Sequence, residues 1–391
     1  MSIVRRKLEG VTYCDPNKAY EGYTLLTPMG STDAWIINME GEIVHHWRLP
    51  YLPGMHGTLL ENGNLLYAGQ TKALDPALKQ VGFIVLGGRG GQMLEVDWDN
   101  NLVWKWEDPY QNHTFTRLKN GNTMLLRWVR VPDEVVEQIE GGLPGTDIIE
   151  TGERVMWADG FHEVTPDGEI VWEWLPWEHV NIKEFPICPL CTRREWTHAN
   201  TVRELPNGDI LTSFRSQSMV FIIDKKTGDI RWKWGPGIIT HQHDPSLLDN
   251  GNILIFDNGN HRMDGSGVSY SRVVEVNPKT GEIVWEYKDD PPGDFYTSIM
   301  GCCQRLPNGN TVIGETDMGR VFEVTPDGEI VWEYISPFYN DCYHDTFGRI
   351  CQLFKAYRYP PDFPGFKGRD LDPRKYEVFN RLYGPDAWRN R

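Results

Sequence analysis

Apolar and polar residues alternate along this chain in short runs, and the runs recur. Glu163 to Glu173 reads EVTPDGEIVWE, and Glu323 to Glu333 repeats the same eleven residues. Looser copies end at Trp47 (GEIVHHW), Trp106 (NNLVWKW), Trp234 (TGDIRWKW) and Tyr287 (TGEIVWEY). With Trp174 and Tyr334 they make six copies of one strand at a mean spacing of about 57 residues, which marks a repeat architecture. A second signal interleaves with them, an Asn-Gly turn before an apolar strand at Asn62, Asn120, Asn207, Asn250 and Asn308. Asn-Gly favours tight hairpins because both residues accept positive φ. Each unit thus reads as four short strands, for example His243 to Leu248, Ile253 to Phe256, Arg272 to Val276 and Glu282 to Tyr287. Four-stranded units repeated about an axis predict an all-β fold, a six-bladed β-propeller.

The ends of the chain fit a closed ring. Residues 22–47 supply three strands (GYTLL, DAWIINM, GEIVHHW), so the first blade lacks its innermost one. A C-terminal strand is expected to join that N-terminal blade, and the segment YHDTFGRI around His344 is the expected one. The organisation expected is therefore a single propeller domain over 1–391, with repeats in 20–350. Residues 351–391 form an extension packed on the propeller or at a subunit contact, since FKAYRYPPDF and KYEVFNRLYG are too apolar to stay solvated. Trp-x-Trp pairs at 104/106, 172/174 and 232/234 put both rings on one face of an outer strand, where packing between blades is expected.

Composition then explains the 16 Trp, 16 Tyr, 15 Phe and 39 Gly as blade packing and turn residues. The 39 basic and 55 acidic side chains, net −16, are dispersed, which excludes a nucleic-acid or anionic-membrane surface as the expectation. Arg5, Arg6 and Lys7 are followed by no apolar run of signal-peptide type. A cytoplasmic protein is expected, or a periplasmic one if the sequence is a mature form. Seven cysteines are few for this length and read mostly as reduced thiols. Cys188-Pro-Leu-Cys191 has no partner pair in the sequence, so it reads as a local disulfide or loop cysteines and not as half of a zinc knuckle.

The chemistry enters with the histidines. His56, His113, His198 and His243 precede the Asn-Gly turns of their units by six, seven, nine and seven residues, and so open innermost strands. His344 opens the expected closing strand in the same way. Imidazoles on innermost strands face the axis, and so many at one repeat position point to a functional cluster. Insertions at 70–91, 129–159, 175–196 and 259–271 are placed to roof it. Gly87-Gly88-Arg89-Gly90-Gly91 has a phosphate-loop composition but not the context of one. Two chemistries use converging histidines. One is a single first-row metal (Fe, Zn, Mn or Cu) held by His56, His113, His198 and His243, serving a lyase, hydrolase or oxygenase acting on a small aromatic substrate. The other is group transfer to a neutral histidine, which needs no cofactor. A non-catalytic binding propeller is the third reading.

The series EWTHANTV, LTSFR, IDKKTGDIRWKWG, THQHDPSLLDNGNILIFDNGNHR and SRVVEVNPKTGEIVWEY resembles the bacterial arylsulfotransferases that use no nucleotide sulfate donor. The opening GYTLLTPMGSTDAWIINMEGEIVHHW is similar to the same family, so the resemblance covers most of residues 20–350. It implies a six-bladed propeller and ping-pong sulfuryl transfer between phenolic compounds through a sulfohistidine. Carried onto this chain, it makes His198, His243 and Arg262 the catalytic residues. His56, His113, His241 and His344, which this sequence adds beside them, are expected to bind a small phenolic or aromatic substrate. A homo-oligomer stays open. The family's nucleophilic histidine is expected in the segment that here reads FYTSIMGCCQRLPNGN, residues 295–310, which contains none. His243 or a cysteine takes that role, or the chemistry has changed.

Overall fold

The repeated EVTPDGEIVWE folds as strand, tight turn and strand, with the turn glycines in the left-handed region that its geometry requires: φ is +91° at Gly168 and +87° at Gly328. In the Asn-Gly turns only the glycine takes positive φ. At Asn62, for instance, Gly63 N donates to Leu60 O (2.9 Å) and Leu60 N to Asn64 O (2.8 Å), a type I turn with a bulge in place of the two-residue hairpin turn.

The computed structural model describes residues 8–70, 86–149, 151–341, 349–385 and 387. Its strands form six antiparallel blades. From the axis outward, blade 2 is Pro53–Leu59, Leu65–Gln70, Gly91–Val96 and Leu102–Glu107, and blade 3 is Gln111–Arg117, Thr123–Arg130, Trp157–Val164 and Ile170–Trp174. Blade 4 is Ala199–Glu204, Ile210–Phe214, Met219–Ile223 and Ile230–Trp234, and blade 5 is His243–Leu247, Ile253–Asp257, Arg272–Val276 and Ile283–Tyr287. Blade 6 is Cys302–Arg305, Thr311–Glu315, Arg320–Val324 and Ile330–Ile335, and it gains Gly10–Cys14 as a fifth, outermost strand.

Blade 1 (Tyr23–Pro28, Asp33–Ile37, Ile43–Arg48) is completed by Leu353–Tyr359, whose Tyr359 and Leu353 pair with Tyr23 and Pro28. A C-terminal strand does close the ring, but it lies about ten residues beyond the expected segment. His344 and the rest of 342–348 fall outside the described residues. The closing strand carries Lys355 and Arg358, charges that argue against a buried strand, yet both are buried against carboxylates. Arg358 pairs with Glu323, donates to Tyr20 O (3.1 Å) and lies over Trp332 (4.3 Å). Beyond this strand, Phe366 enters the core of blades 1 and 2, while Asn380 exchanges hydrogen bonds with the backbone of Ile43.

Outer-strand tryptophans join the blades into a circle. Each indole N–H donates to a turn carbonyl of the next blade: Trp47 to Asp97, Trp106 to Gly168, Trp174 to Gly228, Trp234 to Gly281, Trp285 to Pro326 and Trp332 to Met39. At roughly 1 kcal/mol net for each bond, on top of the burial of a large ring, these contacts carry much of the cohesion between blades. A second device repeats nearer the axis. Glu95, Glu163, Glu275 and Glu323 each accept from an asparagine of their own blade's Asn-Gly turn, Asn64, Asn122, Asn252 and Asn310 respectively. Three of them also hold an arginine of the next inner strand, Arg117, Arg305 and Arg358. Among the described residues no helix is long and apolar enough to cross a membrane.

Candidate functional site

Inner strands begin at the axis, and a left-handed residue marks the start of several: φ is +42° at His113, +47° at His198, +54° at Asp244 and +60° at Met300. Side chains there are costly to hold in this conformation, and such positions concentrate at sites. His56, His113, His198 and His243 all sit at this end of blades 2 to 5. His113 and His198 meet edge to face with ring centroids 4.8 Å apart. Phe354 of the closing strand occupies the hub, its centroid 5.6 Å from His56, 6.4 Å from His113 and 6.3 Å from His243. Met29, Met55 and Met300 pack around it. This apolar plug borders three of the imidazoles, and among the described residues the four do not gather their nitrogens as a common metal shell would require.

Each histidine is oriented differently. His243 Nδ1 lies 2.7 Å from Asn258 Oδ1 and 3.1 Å from His241 O. Asn258 Nδ2 donates to the carbonyls of Thr297 (2.9 Å) and Met300 (2.6 Å), which fixes the amide so that its oxygen faces the imidazole. Nδ1 of His243 therefore carries the proton and Nε2 a free lone pair. Burial, and then the charge of Arg215, push its pKa down to about 3. His198 Nδ1 lies 2.6 Å from Glu195 Oε2. Burial pushes Glu195 up to about 8, while burial and Arg215 hold His198 well below its ordinary value. At neutral pH the proton of this pair sits on Glu195, which donates to Nδ1 and leaves the Nε2–H of His198 as a donor. His113 Nδ1 is 3.2 Å from Asn112 Oδ1, and burial and His198 hold this ring neutral too. His56 is stacked on Phe115 (4.7 Å), and its Nδ1 is buried without a partner among the described residues.

The glycine-rich segment closes over this cluster. A Cβ on Gly87 would lie 2.8 Å from His198 Cε1 and 3.6 Å from His113 Nε2, and one on Gly88, at φ +84°, 2.2 Å from His113 Nδ1. Gly87 and Gly88 are thus demanded by contact with the imidazoles, and Gly88 O also accepts from His113 N (2.6 Å).

Arg215, at the end of blade 4's second strand, is the cation whose charge acts on His113, His198 and His243 together. Among the described residues it makes no ion pair with a carboxylate. Arg262, expected in this role, is paired with Asp257 (3.0 Å) and lies over Tyr270 (4.3 Å), where it braces its own loop. Asp244 turns away from His243 and accepts from Arg203, Lys355, Tyr357 and Cys303 N. Cys302 and Cys303, in the segment where the family's nucleophile is expected, are buried thiols. Burial pushes Cys302 up to about 12 and Cys303 well above the usual thiol range, so neither supplies a thiolate.

His241 belongs to a second cluster. Among the described residues, one group of three or more potential ligands brings its donor atoms within 4.8 Å of one another: Cys188, Cys191, His241 and His261. Both cysteines are free thiols, so of the two readings from the sequence, a local disulfide or loop cysteines, the structure has the second. Partners invisible in the sequence reach the CxxC from two other loops.

Asp159, beside the pair, accepts from Thr197 Oγ1 and Ala199 N (both 2.6 Å), and burial, then Glu195, push it up to about 8. A carboxyl raised in the fold binds its proton more tightly there than in the unfolded chain. Its contribution to stability is full below the ordinary carboxylate range and is lost as pH rises through about 8. Stability in urea is therefore expected to fall between pH 6 and 8, and Asp159→Asn to flatten that fall by up to about 1.4 kcal/mol per pH unit. Parallel profiles for the two proteins contradict a neutral Asp159.

The family model described as arylsulfotransferase (ASST) matches residues 83–337, well over half of the chain. A stretch of 91 residues is 31% identical to the arylsulfate sulfotransferase AssT of Lelliottia amnigena, covering 21% of this chain and 15% of that relative's length. Among solved structures, a protein of unknown function from Bacteroides caccae is similar with a TM-score of 0.49 and 15% identity, over 80% of this chain and 93% of that one. Virginiamycin B lyase from Staphylococcus aureus in complex with quinupristin is similar with a TM-score of 0.44 and 11% identity, over 82% and 86%.

Proposed function

Because this chain belongs to the arylsulfotransferase family, we propose that it moves a sulfuryl group from an aryl sulfate to a phenolic acceptor at the axial ends of blades 3, 4 and 5, with His243 as nucleophile. The observation that carries this reading is the orientation of His243: Nδ1–H is held by Asn258 and His241 O, so an unprotonated Nε2 is presented within the field of Arg215, which has no carboxylate partner among the described residues. Nε2 attacks sulfur as the S–O bond to the aryl group breaks, giving an N-sulfoimidazolium that keeps its Nδ1 proton. The aryl oxygen leaves with the electron pair and takes the Nε2 proton of His198, which Glu195 replaces at Nδ1. In the second half the acceptor phenol attacks sulfur, the N–S bond breaks, and the phenol's proton returns to the His198 and Glu195 pair. Charge develops on the outer oxygens of a loose transition state, so Arg215 and the N–H donors supply the stabilisation. The hub methionines offer adaptable apolar contact to an aryl ring.

The test is phenol-dependent release of p-nitrophenol from p-nitrophenyl sulfate, with sulfuryl recovered on phenol. Asn258→Leu, which leaves the His243 ring free to turn, is expected to lower kcat by about 10²-fold. Unchanged kcat in that variant removes the orientation on which the reading rests.

A further inference from the structure

The side chains of Cys188, Cys191, His241 and His261 take no part in the transfer chemistry, yet they have the dimensions of a coordination shell. Cys188 Sγ is 3.5 Å from His261 Nδ1, and Cys191 Sγ is 3.5 Å from His241 Nε2 and 3.8 Å from His261 Nδ1. Four ligands at Zn–S and Zn–N distances on a tetrahedron stand about 3.3–3.8 Å apart. Two of its members pay a backbone cost to be there, φ being +55° at His241 and +61° at His261. The imidazoles meet edge to face, centroids 4.6 Å apart at 67°, so that one nitrogen of each turns to the thiols.

Three loops converge to build it. The CxxC lies on Ile187–Thr192, an insertion strand paired with Gly141–Leu143 and tied to blade 4 by Cys188 N to Ser216 O (2.8 Å). His261 lies in the insertion braced by Arg262, and His241 enters blade 5 two residues before His243. We propose that these four side chains bind one zinc ion in a closed, tetrahedral Cys2His2 site. Two thiolates and two neutral imidazoles balance the dication, and four protein ligands leave no open position for water or substrate. The ion is structural: it clasps the 175–196 insertion to the wall of the axial pocket. This assignment is independent of the sulfuryl-transfer reading.

The test uses the full chain purified without chelator. Elemental analysis is expected to find about one zinc per chain, and Cys188→Ser with Cys191→Ser to lower it by about tenfold or more. His113→Ala, which alters the axial cluster alone, is expected to keep the zinc. Cobalt added to the metal-stripped wild type is expected to give the intense visible bands of a tetrahedral site and a thiolate charge-transfer band, and this reading decides alone if the serine variant does not fold. A wild type that takes up neither metal, a Cys188 to Cys191 disulfide in the fresh protein, an octahedral cobalt spectrum, or zinc lost with His113→Ala overturns the assignment.

Discussion

His243→Ala is expected to abolish sulfuryl transfer, with kcat falling about 10⁴-fold or more, because it removes the atom that bonds to sulfur. The ring is 3% exposed and packs near Phe354, so the variant must first be shown to melt as the wild type does. His198→Ala and Arg215→Met remove donors to the transferred group and leave the nucleophile in place. Each is expected to cost about 10²- to 10³-fold. If His243 and His198 act as one unit, the double variant loses no more than His243→Ala alone. Steady-state rates with p-nitrophenyl sulfate and phenol give all four numbers. A His243→Ala protein that folds and retains more than about a tenth of wild-type kcat is incompatible with a nucleophilic role.

The largest effect on stability is expected at the seam of the ring. Arg358 and Glu323 are both fully buried, one on the closing strand of blade 1 and the other in blade 6. Arg358→Met leaves the Glu323 carboxylate with Asn310 Nδ2 and Tyr20 N as its remaining donors among the described residues. Removing one partner of a buried pair costs about 3–5 kcal/mol, more than a third of the stability of many domains. Adding Glu323→Gln to Arg358→Met is expected to restore part of the loss, since an amide needs no counter-charge while its oxygen still accepts. Urea unfolding of the three proteins measures both effects. A single variant within about 1 kcal/mol of wild type means that solvent reaches the seam.

Much of the propeller is legible in the chain because it is built from local signals. Alternation, turn glycines and outer-strand tryptophans recur with each blade, and all six blades are found where these signals place them. The closing strand escaped because Lys355 and Arg358 give it the look of an exposed strap, and only tertiary partners, Asp244 and Glu323, make burial affordable. The four axial histidines were legible because each precedes its Asn-Gly turn by six to nine residues. The Phe354 plug beside them was not, since it comes from a strand assigned elsewhere. Arg215 stands directly after the second strand of blade 4, as Asn258 does after that of blade 5, but nothing local distinguishes it from a loop arginine. Arg262 has the same local appearance and is neutralised by Asp257. The Cys and His cluster joins residues separated by 50 to 73 positions, a spacing that no motif reads.

The central claim is that His243 carries the sulfuryl group. Reaction of the wild type with p-nitrophenyl sulfate and no acceptor, followed by alkaline quenching, digestion and mass spectrometry, is expected to show the sulfuryl adduct on the peptide bearing His243 and none in His243→Ala. An adduct on any other residue, or full turnover to phenol with no covalent species in a single-turnover experiment, contradicts it.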